Sequence, residues 1–297
     1  MRKTSVYLPD ETKEALRQVS RRWNRSEAQL IREAIDRLVR SATTESAPAP
    51  APPPPAPRAH GPRLIGVGVG PSAPDLITRR AVDVLERADR VFAASTAPDA
   101  ISRAETIVRS AAPHVAVDRL PFVAGEGPAG LDQSFDGAVA ALVAVLDRGE
   151  VAAFITLGDP NVYSVFSELA RRIRAVRPGL PVSVVPGIMA FQELAASTGT
   201  VLAEGDERID VGTMADDGTS FAGALVDPRS TVVLYKGGRR LPEVAAQLRD
   251  CERLEGAVVG ELMGLPGGRN GPVADVADRP ASYLATVIVP AKRDDRS

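Results

Sequence analysis

The sequence predicts an α/β protein whose main body is preceded by a small β-α-α module. Three observations carry this reading. The apolar run at residues 64–69 leads through a glycine turn and a helix to a second strand at residues 90–94, the alternation that builds a parallel sheet. Residues 46–57 hold seven prolines in twelve positions and divide two regions of different charge. Within the first 43 residues the apolar spacing changes from period 2 to a helical period, enough for one strand and two helices.

In the module, Thr4, Val6 and Leu8 share one strand face and Lys3, Ser5 and Tyr7 the other, until Pro9 stops the run. Asp10 can cap a helix with Ala15, Leu16, Val19 and Trp23 inward, and Asn24-Arg25 breaks it. Ser26-Glu27-Ala28-Gln29 fits a capping box for a second helix. Its stripe of Leu30, Ile31, Ala34, Ile35, Leu38 and Val39 is too broad for a lone helix in water. So short a chain buries too little alone, and an intertwined dimer pairing strand with strand is the economical solution. Residues 2–41 resemble a ribbon-helix-helix DNA-binding module. The resemblance implies that Lys3, Ser5 and Tyr7 face base edges in the major groove while the second helix begins at a phosphate near Ser26. Residues 1–43 hold ten Lys/Arg against six Asp/Glu, leaving 26 against 32 in the rest of the chain. A basic head on an acidic body suits a polyanion partner, and an ordinary solvated surface suits the same numbers. Pure dimerisation stays open as the other role.

The proline-rich run cannot form a packed element and is expected to act as a semi-rigid spacer over residues 44–62, extended at about 3.1 Å per residue. With 44% hydrophobic and 25% charged residues, the chain is neither collagen-like, coiled-coil nor wholly disordered. Its apolar runs stay far below the ~18 residues of a membrane span, and no secretory signal is visible, so a cytoplasmic location without membrane contact is expected. One cysteine, Cys251, and two histidines, His60 and His114, offer neither an internal disulfide nor a zinc ligand set, and no metal is expected.

In the body, Gly66 and Gly68 lie within the first strand and Gly70 follows it, and Thr78 caps a helix with Ala81, Val84, Leu85 and Ala88 inward. Pro71 occupies the final glycine of a G-x-G-x-x-G pattern and no G-x-x-x-x-G-K-[ST] occurs, which disfavours a dinucleotide site and a phosphate-cradling loop. An Ala/Val/Leu-rich helix at residues 132–147 precedes a buried strand at residues 151–157, which ends in Gly158-Asp159-Pro160-Asn161-Val162-Tyr163-Ser164. A strand at residues 182–185 ends in Pro186-Gly187 before a helix around residues 191–196, and further strands are expected at residues 231–237, 256–260 and 285–290. Three strands end in Gly/Pro turns at the carboxyl edge of the sheet, where ligands of such folds gather, and the glycines suit close backbone packing as well as a ligand. Arg177-Pro178-Gly179-Leu180-Pro181 reads as the hinge between two α/β halves, residues 63–180 and 181–291.

Taken in order, Gly66-Val67-Gly68-Val69-Gly70-Pro71, Leu157-Gly158-Asp159-Pro160, Val185-Pro186-Gly187-Ile188 and Val233-Leu234-Tyr235-Lys236-Gly237 resemble the tetrapyrrole (corrin/porphyrin) methyltransferase family over residues 63–291. With Tyr163-Ser164, the run 202–207 and Gly264-Leu265-Pro266, the body is most similar to precorrin-2 C-20 methyltransferases. The resemblance implies a cleft between the two halves, S-adenosyl-L-methionine as methyl donor, a tetrapyrrole substrate and a homodimer. Carried over by position, Pro71, Gly158, Asp159, Val162, Met189, Ala190 and Lys236 line the donor pocket; Lys236 stands where relatives carry methionine, which points to a backbone contact. Ser72-Ala73 replaces the family's Gly-Asp, and Met189 replaces a small hydroxyl residue.

Methyl transfer from a sulfonium needs alignment and a proton acceptor afterwards, so a site without His or Cys is acceptable. Asp159 is the candidate for that electrostatic or proton-accepting work, with a turn cap as the alternative, and Tyr163 for a hydrogen bond to substrate, with ring packing as the alternative. Arg208, Arg239, Arg240 and Arg269 are candidates to hold substrate carboxylates. The competing functions are a tetrapyrrole methylase of another specificity and a DNA-binding regulator whose body has become a ligand sensor.

Overall fold

The computed structural model describes residues 9–23, 25–44, 61–122, 127–213, 221–265 and 267–293. The chain divides into two compact units, Met1–Ala59 and His60–Ser297. The strand expected at residues 2–8, with Lys3, Ser5 and Tyr7, lies outside the described residues, as does the proline-rich run at residues 46–57.

In the first unit, α1 (Asp10–Trp23) and α2 (Glu27–Thr44) form where the apolar spacing predicts them. The capping box is made: the Gln29 N–H donates to Ser26 Oγ at 3.3 Å and the Ser26 N–H donates to Gln29 Oε1 at 3.1 Å. Leu16, Val19 and Leu30 line one apolar groove of the pair, while Ile35 stays 45% exposed.

The second unit holds two five-stranded sheets. The first consists of β1 (Arg63–Gly68), β2 (Arg90–Ser95), β3 (Val117–Pro121), β4 (Val151–Thr156) and β5 (Val182–Val185), in the order β3-β2-β4-β1-β5 and parallel throughout. Its connections include α3 (Arg79–Arg87), α4 (Arg103–Ala111), α5 (Gly127–Leu146) and α6 (Val165–Val176). One face packs Val67 and Ile155 with Leu85 and Ile107, the other Leu64 and Phe154 with Leu142 and Leu169. A strand buried on both faces needs a continuous apolar run, which is why the β4 sequence does not alternate.

β5 pairs with β1, Leu64 facing Val182, so the passage to the second sheet comes after Val185 and not at the expected hinge of residues 177–181. Pro178 and Gly179 instead turn the chain from α6 back into β5, closing a parallel crossover. The second sheet contains β6 (Arg208–Thr213), β7 (Ser230–Tyr235), β8 (Val258–Glu261), β9 (Arg269–Pro272) and β10 (Thr286–Val289), in the order β6-β7-β10-β8-β9. It is mixed, because β10 runs antiparallel between β7 and β8. α7 (Ala190–Thr198) covers one face through Phe191 and Leu194 against Val233 and Ile288. α9 (Leu241–Asp250) covers the other through Leu241, Val244 and Leu248, with Leu225 of the short α8 (Ala222–Val226) in the same cluster. Among the described residues no helix is long and apolar enough to cross a membrane.

The start of α4 is fixed twice. Ser102 Oγ accepts the Glu105 N–H at 3.2 Å, and the fully buried Glu105 carboxylate receives Arg119 of β3 through two bonds of 2.8 and 2.9 Å and Arg109 at 2.7 Å. Hydrogen bonding from Arg119 holds the Glu105 carboxyl below its usual value against the opposing effect of burial. A depressed carboxyl contributes stability above its unfolded pKa and loses it as the pH falls through the folded value. Glu105→Gln should therefore destabilise the protein at neutral pH by about 1–3 kcal/mol. In thermal melts the gap between wild type and variant should close on acidification below about pH 4; a gap independent of pH would show that the charge contributes nothing.

Candidate functional site

β1, β4 and β5 leave the first sheet side by side, and their ends are held together through backbone. The Val69 N–H donates to the Thr156 carbonyl at 3.1 Å and the Gly158 N–H to the Gly70 carbonyl at 2.9 Å. A Cβ on Gly68 would stand 2.4 Å from the Gly158 oxygen, and one on Gly187 would stand 2.1 Å from that same atom. Neither space admits a side chain, so these glycines are needed for close backbone approach. Asp159 completes the junction: one carboxylate oxygen accepts the Asn161 N–H at 2.8 Å and the other the Gly187 N–H at 3.1 Å. Both oxygens thus go to backbone donors, one within the turn and one on the neighbouring strand-end loop.

Above this junction opens a cavity of about 380 Å³, within the size range of small-molecule sites. Pro71, Gly158, Asp159, Val162, Met189, Ala190 and Lys236, the seven donor-pocket expectations, all line it, and Tyr163 does too. Lys236 closes β7 with φ +59°, a left-handed conformation that costs a non-glycine residue about 1 kcal/mol. Tyr163, at φ +49°, is likewise strained; its ring stands edge-on to Tyr235 at 6.1 Å and its hydroxyl donates to the Val211 carbonyl of β6 at 3.1 Å. It therefore ties the loop after β4 to the second sheet. The Tyr235 hydroxyl accepts the Phe191 N–H at 3.4 Å, and burial pushes its pKa up to about 12.

Ser72, where the family's Gly-Asp is replaced, donates to the Glu193 carboxylate on α7 and joins the loop after β1 to the helix covering the second sheet. Of the four arginine candidates, Arg208 pairs with Asp210 and Asp227, Arg269 with Glu261 and Arg240 with Glu243. Arg239 lies 5.8 Å from the ring centre of Tyr283, a residue of the cavity wall. Sequence reasoning missed Thr286 and Arg103 on that wall. Thr286 Oγ1 is buried without a hydrogen-bond partner among the described residues, an orphan group that fits a polar ligand in the cavity. The position of Thr286 at the start of a buried apolar strand was its only sequence signal.

Because the junction leaves no room for a methyl group, Gly187→Ala should weaken a ligand seated in this cavity about tenfold or more by calorimetry while the far end of the sheet stays folded. Asp159→Asn keeps one accepting oxygen and should weaken a ligand seated in this cavity about three- to tenfold, in line with one lost charge-assisted bond. The pH profile of kcat should not move; loss of its acidic limb would make Asp159 a proton acceptor.

Residues 63–269 match the family description Tetrapyrrole (Corrin/Porphyrin) Methylases. The chain is 30% identical over 242 residues to a precorrin-2 C(20)-methyltransferase of Sinorhizobium sp, covering 78% of this chain and 96% of that one. It is 30% identical over 234 residues to a cobalt-precorrin-2 C(20)-methyltransferase of Salmonella typhimurium, covering 76% and 95%. Its fold is similar to the X-ray structure of a cobalt precorrin-4 methyltransferase, with TM-score 0.60 at 21% identity over 80% of this chain and 98% of that one. The chain belongs to the tetrapyrrole (corrin/porphyrin) methylases and is an enzyme that methylates a tetrapyrrole with S-adenosylmethionine as the donor.

Proposed function

We propose that this enzyme methylates precorrin-2 at C-20, on the cytoplasmic route to cobalamin. The observation that carries the reading is the single cavity lined by all seven carried-over donor positions. The specificity rests on relatives named for C-20 methylation of precorrin-2 or its cobalt form, matched over 95% or more of their length.

S-adenosylmethionine supplies an electrophilic methyl group on a sulfonium. The chain's own residues supply alignment. Gly158, held by the glycine junction, gives a rigid floor; Met189 and Ala190 open α7 at the wall; Thr286 offers an unpaired hydroxyl. In this reading Asp159 is a positioning residue, because its carboxylate is committed to backbone, and Tyr163 is a spacer between the sheets. Incubating the enzyme with precorrin-2 and methyl-labelled donor should place one label per macrocycle at C-20. Transfer to another carbon would support another specificity, and bound but unmethylated precorrin-2 would support a ligand sensor. Residues 60–297 alone should bind the donor as the full chain does.

For residues 1–43 we infer a dimeric ribbon-helix-helix module that binds DNA. The two helices, the Ser26 cap and the exposed Ile35 support a unit that pairs with a second copy. The polar set Lys3, Ser5 and Tyr7 supports DNA as its partner. Binding to fragments of the protein's own promoter region should weaken steeply with salt. Lys3→Ala and Tyr7→Ala should abolish sequence preference while a sizing column still shows dimers. Dimers that retard no fragment at low salt would leave the module a pairing device.

A further inference from the structure

Beside the donor cavity lies a second one of about 370 Å³. The two share Ala94, Arg103, Thr156, Leu157, Val165 and Leu284 on their walls, so they are neighbouring compartments of one cleft. The second is lined by apolar groups, among them Ile101, Phe122 and Leu284, with Ile101 52% exposed. Such a surface suits the face of a broad planar ligand. Its polar groups stand out against this lining.

Arg103 is half-buried and makes no ion pair or side-chain hydrogen bond among the described residues. Glu105, the carboxylate nearest in sequence, is consumed by Arg119 and Arg109. Burial pulls the Arg103 guanidinium below its ordinary pKa, a cost that a bound anion would offset. Ser95, at the end of β2, is 5% exposed, and its hydroxyl has no partner among the described residues. Ser102, Arg103 and Ala104, the cap and first two residues of α4, line the same compartment, where the helix N-terminus favours negative charge. A guanidinium, an orphan hydroxyl and a helix start thus share one largely apolar trough whose lining holds no carboxylate.

We propose that Arg103 and Ser95 bind a peripheral carboxylate of the tetrapyrrole and so orient the macrocycle against the donor cavity. This rests on the reading of the enzyme as a methylase of a precorrin-type substrate rich in acetate and propionate groups. Arg103 is then a specificity-determining residue, and the fixed start of α4 sets its position. The donor itself carries a carboxylate, and the experiment separates the two sources.

Uroporphyrin III, an octacarboxylate macrocycle, serves as fluorescent probe with the full-length protein, beside calorimetry of S-adenosylhomocysteine and S-adenosylmethionine. Arg103→Gln should weaken porphyrin binding about 10- to 100-fold, the effect of a lost charge-assisted pair, and raise the KM for precorrin-2 equally. Donor affinity and melting temperature should stay at wild-type values. Arg103→Lys should recover part of the loss, and Ser95→Ala should weaken porphyrin binding about threefold. Unchanged porphyrin binding in Arg103→Gln overturns the proposal. A drop in S-adenosylmethionine affinity instead assigns the guanidinium to the donor's carboxylate and also overturns it. Wild-type protein that binds donor but neither probe nor precorrin-2 overturns the methylase reading on which the proposal rests.

Discussion

The architecture of the site depends on one constraint, the contact of three strand ends through bare backbone. Gly68 and Gly187 both press on the carbonyl of Gly158, and any side chain at either would occupy space that the oxygen fills. Close approach of this kind gives a floor whose atoms cannot shift independently, because each loop is braced by the next. The carboxylate of Asp159 adds a polar tie across the same seam. A loop that presents backbone to a ligand would otherwise be mobile, and here it inherits the rigidity of the central strands β1 and β4.

The second sheet closes the cavity by different means. Tyr163 reaches Val211 with its hydroxyl, Ser72 reaches Glu193, and α7 carries Met189 and Ala190 to the wall while its apolar face packs on β7 and β10. The cleft thus combines a floor braced through backbone with an opposite side joined to it through the side chains of Tyr163 and Ser72. That division suits methyl transfer, in which one partner must be aligned closely and the other, larger partner must enter and leave.

Much of this was legible in the sequence. The central strand at residues 151–157 is apolar without alternation because it is buried on both faces, whereas residues 182–185, with the exposed Ser183, form the edge strand and were read from the Pro-Gly turn that ends them. The Ser26 capping box and the Thr78 cap were readable because caps act over three residues and are then confirmed by a single bond, Gln29 to Ser26 and Ala81 to Thr78. β3, β6 and β9 were not found. Val117–Pro121 and Arg208–Thr213 carry charges on half-exposed strands, and Arg269–Pro272 reads as an Asn-Gly-Pro turn until its pairing with β8 is known. The hinge was misplaced because a Pro/Gly run marks a turn without saying which elements it joins. In the site, the resemblance picked out residues that the fold brings to one cavity wall, and the fold adds the bonds that Asp159 and Tyr163 make. For Asp159 the sequence left a proton-accepting group and a turn cap open, and the fold shows both of its oxygens accepting backbone N–H groups. Arg103 was invisible because the meaning of an arginine at a helix start depends on which carboxylates come near it, a property of tertiary packing.

The central claim is that the braced strand ends form the floor of the methyl-donor site. A crystal structure of the protein with S-adenosylhomocysteine tests it most directly. The account predicts the ligand seated against the loop of Gly158 to Val162 and the start of α7 at Met189, with the backbone of Gly68, Gly158 and Gly187 unmoved. Ligand bound elsewhere on the chain, or a junction that opens to admit it, would contradict the account.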